Sequence, residues 1–259
     1  MPKTALITGA SSGIGLELAH IFAREGHNLL ITARREERLA ELKKELEEKH
    51  SITVHIFSTD LAKRESPEKL FAFCKENSLS IDFLVNNAGV GDYGLFHESD
   101  WKRQEAIIDL NIKSLTHLTH LFLPSMVQKD QAYIMNVAST AAFQPGPLMS
   151  NYYASKHYVL AFSEAIANEL YGTGVTVTTL CPGPTESEFQ EHSNMEKSKL
   201  FDRFPVATSK EVAEYGYKAM MKGKRVAVYG VPNKLASKLS PLFPRRFVTA
   251  VVRKIQERK

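Results

Sequence analysis

Seven short runs of β-branched and other apolar residues alternate along the chain with longer stretches of helical period. The runs are Thr4–Thr8, Asn28–Thr32, Thr53–Ser58, Ile81–Val85, Ala132–Val137, Val175–Leu180 and Val226–Tyr229. The helical stretches are Ile14–Glu25, Glu36–Lys49, Pro67–Asn77, Trp101–Val127, Tyr153–Tyr171 and Lys210–Met221. A strand with one wet face alternates apolar and polar residues. These runs are nearly continuous, so both of their faces must be covered. A β-α-β-α order meets that demand with a doubly wound parallel sheet between two layers of helices. The expected fold is therefore α/β, with seven strands. Ser66 ahead of Pro67 is a candidate N-cap, and Thr208-Ser209-Lys210-Glu211 fits a capping box.

The chain has 259 residues, 43% of them hydrophobic, enough to bury one substantial core without disulfides or structural metal. Cys74 and Cys181 are too few for a disulfide scaffold and form no CxxC pair, which points to a reducing compartment. The first residues run straight into an apolar strand, so no signal peptide is expected, and no stretch reaches about 18 apolar residues. A cytoplasmic location is the expectation.

Thr8-Gly9-Ala10-Ser11-Ser12-Gly13-Ile14-Gly15 lies between the first strand and the first helix. Glycines there let the backbone turn sharply and approach a pyrophosphate. The helix start behind them offers free N–H groups and the positive end of a dipole. The spacing is G-x-x-x-G-x-G, not G-x-G-x-x-G, but the strand–loop–helix setting reads as a Rossmann-type dinucleotide site. Gly9, Ser11, Ser12, Gly13, Ile14 and Gly15 are its candidate contacts. At the tip of the second strand an NAD site carries an acid. Here Arg34 and Arg35 follow, and a guanidinium can hold a 2′-phosphate bidentately. The cofactor expected is NADP(H), with Arg34 the first choice and Arg35 the second. Glu36 and Glu37 should point away on the next helix.

Tyr152 and Lys156 are four apart at the start of a helical stretch and so share a face. A phenol has a reference pKa of about 10 and needs help to exchange a proton near neutrality. A neighbouring ammonium supplies that help. Ser139 follows the Ala132–Val137 run, where a hydroxyl faces the ligand crevice of such a sheet.

With these residues in place the chain resembles the short-chain dehydrogenase/reductase family over roughly residues 3–230. The matching motifs are TGASSGIG at Thr8–Gly15, Asp60-Leu61, NNAG at Asn86–Gly89, Asn111, Ser139, YYASK at Tyr152–Lys156 and Pro182-Gly183-Pro184-Thr185. The resemblance implies that Tyr152 is the acid/base and that Ser139 holds and polarises the substrate oxygen. Lys156 would bind the nicotinamide ribose and lower the pKa of Tyr152, and Asn111 would hold a relay water. Asp60 would contact the adenine with Leu61 beside it. Asn87, Ala88 and Gly89 would line the cofactor cleft, and Thr185, after Pro182-Gly183, would reach the carboxamide. Where the family often has a further threonine after Thr185, this chain has Glu186-Ser187, and Ser187 is the available hydroxyl.

The implied function is NADP(H)-dependent interconversion of a carbonyl and an alcohol. Reduction of an apolar ketone, aldehyde or ketoacyl-like substrate is the expected direction. Ala141, Phe143, Leu148 and Phe189 are candidate substrate contacts, with Gln144, Pro145 and Met149 nearby. Phe189, Met195, Leu200 and Phe204 could form an apolar lid. A dinucleotide-sensing protein without turnover is the rival, which loss of Ser139, Tyr152 or Lys156 would have favoured. His117 and His120 are read as structural and no metal is expected. Trp101 and Phe96 are read as core. The resemblance also implies a homodimer or homotetramer.

Residues 234–259 carry eight Lys or Arg against Glu257 alone, although the whole chain is only +4. The basic character belongs to the tail, so nucleic acid is not an expected partner. Residues 1–231 read as the catalytic domain and 232–259 as its short basic helical extension. The apolar residues of that extension either pack on the domain or a partner subunit, or lie on an anionic membrane surface.

Overall fold

The computed structural model describes residues 2–195 and 206–257. Its strands are β1 (Thr4–Thr8), β2 (Asn28–Ala33), β3 (Val54–Ser58), β4 (Ile81–Asn86), β5 (Ala132–Val137), β6 (Val175–Cys181), β7 (Thr185–Glu186), β8 (Ala207–Thr208) and β9 (Val226–Val228). Its helices are α1 (Gly13–Arg24), α2 (Glu36–Lys49), α3 (Ser66–Glu76), α4 (Trp101–Ile108), α5 (Leu115–Met126), α6 (Ser150–Glu169), α7 (Phe189–His192), α8 (Ser209–Met221), α9 (Val231–Leu239) and α10 (Arg245–Gln256). Seven strands pair in the order β3-β2-β1-β4-β5-β6-β9, all parallel. The seven apolar runs are these seven strands, displaced by at most a residue at either end. The winding reverses between β1 and β4, and ligands bind such sheets at the carboxyl ends of the strands flanking that point.

Both faces of the sheet are buried, as continuous apolar runs require. Ala5, Ile7, Leu29, Ile31, Phe83 and Val85 meet Leu18 and Phe22 of α1, Leu39 of α2 and Tyr217 of α8. The residues between them, Leu6, Leu30 and Leu84, meet Leu70 of α3, Phe122 of α5 and Ile166 of α6. Phe22 touches Phe83 and Tyr217 edge-on, with ring centres 5.0 and 5.1 Å apart.

The capping box at Thr208 and Glu211 is present. Two local expectations need correction. Ser66 is the first residue of α3 and not its cap, because its hydroxyl turns inward to Thr59 at 3.0 Å. The stretch Trp101–Val127 is helical as far as Met126, with a π-helical turn, Asp109–Ser114, between α4 and α5. Trp101 and Phe96 are exposed and not core, since both precede the turn of α4 that buries Gln104 and Ile107.

The tail folds back on the domain. Val248, Val252 and Gln256, four apart on α10, are buried. Leu235, Leu239, Leu242, Phe243, Phe247 and Val251 stay exposed.

A buried polar ladder fixes the layers near the crevice. The Asn86 amide donates to Asn136 Oδ1 (2.9 Å) and Thr119 Oγ1 (3.1 Å), and the Asn136 amide donates to Ser163 Oγ (2.9 Å). It ties β4 and β5 to α5 and α6. Asn136→Ala leaves both neighbours short of a partner in a dry site. It should lower the unfolding free energy by about 1–3 kcal/mol in urea titration. A loss below about 0.5 kcal/mol would show that the ladder does not hold the layers together.

Candidate active site

Between the carboxyl ends of β1 and β4 the structure opens into a cavity of about 460 Å³. Thr8 fixes its rim. Thr8 Oγ1 accepts hydrogen bonds from the N–H groups of Asn87 (2.9 Å) and Ala88 (3.0 Å) and donates to the Val85 carbonyl (3.3 Å). The Asn87 amide donates back to the carbonyls of Thr8 (2.9 Å) and Gly9 (3.3 Å). Gly9 has left-handed backbone, φ +69°, and a Cβ there would lie 2.9 Å from Ala88 Cα. At Gly15 a Cβ would lie 2.3 Å from the Gly9 oxygen. Gly15 thus serves the close packing of α1 on the loop and, contrary to expectation, does not line the cavity.

The other loop residues, Gly9, Ser11, Ser12, Gly13 and Ile14, do line it, as do Asp60, Leu61, Asn87, Ala88 and Gly89. The Asn87 side chain is engaged with β1, so it shapes the cleft without offering a free amide to a ligand. Asp60 Oδ1 accepts from the Ala62 N–H (3.0 Å).

The two arginines differ. Arg34 is exposed, and its guanidinium makes no polar contact among the described residues. Arg35 is half-buried: it donates to Ser11 Oγ (3.1 Å) and to Glu188 Oε2 (2.6 Å). Arg38 donates to the other oxygen of Glu188 (2.5 Å). Hydrogen bonding to Arg38, and then to Arg35, holds the Glu188 carboxyl down at about 2. Arg34 and Arg35 both line the cavity, Arg35 already paired with Glu188 and Arg34 unpaired among the described residues. The sequence reading missed Arg38, which lies one helical turn beyond Arg34 on α2. It also missed Glu188, which comes from a distant loop and carries no local signal.

At the other end of the cavity Ser139, Tyr152 and Lys156 converge. Ser139 caps a 3₁₀ turn, Thr140–Phe143, and its Oγ accepts from the Ala141 N–H (3.1 Å). Lys156 Nζ donates to the Val137 carbonyl (2.8 Å) and lies 5.7 Å from the centre of the Tyr152 ring. Burial pushes Tyr152 up to about 12, drawn partly back by a hydrogen bond with Ser139. Burial brings Lys156 down to about 8, against the attraction of Cys181. The expected depression of the tyrosine by the lysine is absent here. The ammonium faces the Val137 carbonyl, and desolvation of the phenol dominates.

Asn111 does not line the cavity. Its amide donates to the Val90 carbonyl (2.9 Å) and Ser155 Oγ (3.0 Å), and its Oδ1 accepts from the Val90 N–H (2.9 Å). The π-helical turn places it there, and Ser155 in turn donates to the Tyr152 carbonyl (2.7 Å). Asn111 thereby links the loop after β4 to the start of α6. Pro182, Gly183, Thr185 and Ser187 line the cavity. The Thr185 hydroxyl is turned to the Gly183 carbonyl (2.9 Å).

Of the candidate substrate contacts, Ala141, Phe143 and Phe189 line the cavity, with Met149 and Met195. The Phe189 ring lies 5.3 Å from that of Tyr152. Leu148 does not line it: at φ +71° its carbonyl accepts from the Gly94 N–H (2.9 Å) and its side chain packs behind the wall. Leu200 and Phe204 lie outside the described residues. The tail was the larger omission. Val252, Ile255 and Gln256 of α10 and Asn233 and Ser237 of α9 line the same cavity. The available signal was a polar residue, Gln256, on the apolar stripe begun by Val248 and Val252.

The family described as short chain dehydrogenase matches residues 3–198. An uncharacterized oxidoreductase of Staphylococcus saprophyticus is 33% identical over 226 residues, covering 87% of this chain and 94% of that protein. The NADP-dependent 3-hydroxy acid dehydrogenase of Escherichia coli K12 is 37% identical over 69% of this chain and 71% of its own length. Among solved structures, a short-chain dehydrogenase from Sphingobium yanoikuyae in complex with NADPH superposes with a TM-score of 0.83. It is 28% identical and covers 99% of this chain and 98% of its own.

Glu188 occupies the guanidinium groups that a ligand phosphate at this end would need. Glu188→Gln should tighten binding of adenosine 2′,5′-bisphosphate by about two- to tenfold in calorimetry, the scale of two part-exposed ion pairs. Binding of 5′-AMP should stay as it is. Weaker bisphosphate binding would show that Glu188 orders the arginines and does not compete for them.

Proposed function

Because this chain belongs to the short-chain dehydrogenase family, we propose that it interconverts a carbonyl and an alcohol with NADP(H), reducing an apolar ketone or aldehyde. One observation carries the reading: Ser139, Tyr152 and Lys156 meet in the same cavity whose far end holds the glycine loop and Arg35. The loop would cradle the pyrophosphate, since a Cβ at Gly9 would crowd Ala88. Arg35 with Arg38 and Arg34 would hold the 2′-phosphate, Asp60 the adenine end, and Lys156 the nicotinamide ribose. When bound, the cofactor supplies the hydride.

The chain's own residues supply position and the proton. Ser139 Oγ donates a hydrogen bond to the substrate oxygen and polarises it. Tyr152 gives its phenolic proton to that oxygen as negative charge builds there, and Lys156 as an ammonium stabilises the phenolate left behind. The Asn111 side chain is engaged with Val90 and Ser155, so a relay water from Lys156 would rest on the Asn111 backbone carbonyl. Ala141, Phe143, Met149 and Phe189 give the substrate end an apolar wall. The NADPH complex from Sphingobium yanoikuyae and the NADP-dependent enzyme of Escherichia coli support the cofactor choice.

A second reading concerns the tail. Its exposed Leu242, Phe243, Phe247 and Val251 lie among Arg245, Arg246 and Arg253, a combination suited to an anionic membrane surface. No helix among the described residues is long and apolar enough to cross a membrane.

Tyr152→Phe should lower NADPH-dependent reduction of a medium-sized apolar ketone by about 10²–10⁴-fold with NADPH affinity unchanged. Unchanged turnover would remove Tyr152 from the chemistry. In the same assay the wild-type rate should fall as pH rises through the pKa of Lys156, which burial brings down to about 8 and which a bound nicotinamide ribose would raise again. For the tail, Phe243→Ser with Phe247→Ser should abolish salt-sensitive sedimentation with phosphatidylserine vesicles. These substitutions leave Gln256 in the pocket wall, which truncation would remove. Equal sedimentation of wild type and variant would end the membrane reading.

A further inference from the structure

The wall of the cavity's substrate end carries two buried polar side chains that the fold leaves incompletely bonded, beside other polar lining residues such as Gln144, Gln190 and His192. Gln256 is wholly buried on α10 and lines the cavity. Its backbone carbonyl accepts from the Tyr93 hydroxyl, and its Nε2 donates to the Tyr153 hydroxyl. Its Oε1 has no partner among the described residues. Ser193, just after α7, is also wholly buried and lines the cavity, and its Oγ has no partner among the described residues. A Cβ built on Gly91 would meet Ser193 Oγ at 3.0 Å, Phe189 Cζ at 2.9 Å and Met149 Cε at 3.2 Å. Ser193 therefore sits against the wall that reaches Tyr152 through Phe189.

Leaving a buried polar atom without a partner forfeits the hydrogen bonds it made to water in the unfolded chain. Two such atoms on residues that line one cavity point to a place where a ligand group could complete the hydrogen bonding after a small side-chain turn. Neither can be relieved by apolar contact, and their surroundings are apolar: Tyr93, Met149, Met195 and Val252 are all buried in the same cluster. Among the described residues, Lys156 is the only lysine or arginine lining this end of the cavity, and it faces Val137. A carboxylate on the substrate would find no other lysine or arginine among the described residues there. A neutral hydroxyl suits either group: it can donate to the free oxygen of Gln256, or accept from the amide if the carboxamide is turned over, and it can accept from Ser193.

We propose that Gln256 and Ser193 form a recognition subsite for a hydroxyl remote from the reacting carbonyl, so that the preferred substrate is an uncharged apolar ketone or aldehyde bearing a second oxygen. This rests on the carbonyl-reductase reading above and names the substrate class for it. The tail helix is thereby a specificity element of the pocket.

The test uses the full-length protein with NADPH and 4-cyclohexylbutan-2-one beside its 3- and 4-hydroxycyclohexyl derivatives. Both kcat/KM and calorimetric Kd are measured. At least one hydroxylated ketone should be favoured by about tenfold or more, since sites built to bond a hydroxyl discriminate strongly against its absence. In Gln256→Met, and separately in Ser193→Ala, that ratio should fall toward one whatever happens to the absolute rates. A variant that merely loosens the pocket lowers both ketones together and keeps the ratio. Preference for neither hydroxylated ketone in the wild type, or a preference that survives both substitutions, overturns the subsite. Absence of turnover of every ketone would instead overturn the reductase reading, and the binding ratios would still decide the subsite.

Discussion

The site depends on one small knot, the hydrogen bonds that join the end of β1 to the loop after β4 through Thr8 and Asn87. Neighbouring parallel strands whose connections leave in opposite directions open a crevice, and nothing in the sheet itself fixes the crevice's width. A single hydroxyl accepting two N–H groups, answered by an amide donating to two carbonyls, fixes it. Thr8 is almost fully buried, so these bonds are shielded from water, and breaking any of them exposes an unpaired group. The glycine at position 9 follows from the same knot, because the loop passes too close to Ala88 for a side chain.

A second set of bonds carries that fixed rim to the reacting groups. Asn86 and Asn136 reach α5 and α6 through Thr119 and Ser163. Asn111 reaches α6 through Ser155, whose hydroxyl turns to the Tyr152 carbonyl. The π-helical turn makes this possible, since it inserts the Asn111 amide against Val90 in a helix that otherwise follows the regular repeat. Tyr152 and Lys156 are thus placed by buried polar contacts at both edges of their helix, and the tolerance a proton donor requires is met by packing.

What the sequence disclosed and what it withheld divide along physical lines. The strands were legible because a strand buried on both faces must be apolar throughout, and that is a local property. The glycine loop and the Tyr152–Lys156 pair were legible because each needs fixed spacing within a single turn. Features set by contacts between distant segments were not. Glu188 meets Arg35 and Arg38 across about 150 residues of chain, a pairing that no local pattern announces. Ser66 looked like a cap until Thr59 claimed its hydroxyl. The tail read as an amphipathic appendage because periodicity reports which face is apolar, not what that face covers. Its inner stripe closes the cavity, and its outer stripe remains exposed.

The ionisation of the central pair shows why such a pocket must be completed before it can act. Burial raises a phenol and lowers an ammonium, so on desolvation alone Tyr152 at about 12 and Lys156 at about 8 approach the same neutral state from opposite sides. A neutral tyrosine is the form that can give a proton to a carbonyl oxygen, and it is the form that burial stabilises. The phenolate that remains afterwards is the costly species. It becomes affordable only if Lys156 keeps its proton, and Lys156 is held by one backbone carbonyl, Val137, in a site that otherwise disfavours its charge. Any group that binds beside Lys156 and offers it a further acceptor therefore raises the lysine's pKa and, through it, lowers the tyrosine's. The protonation of Tyr152 is thereby coupled through Lys156 to what binds in the cleft between Gly89 and Tyr152.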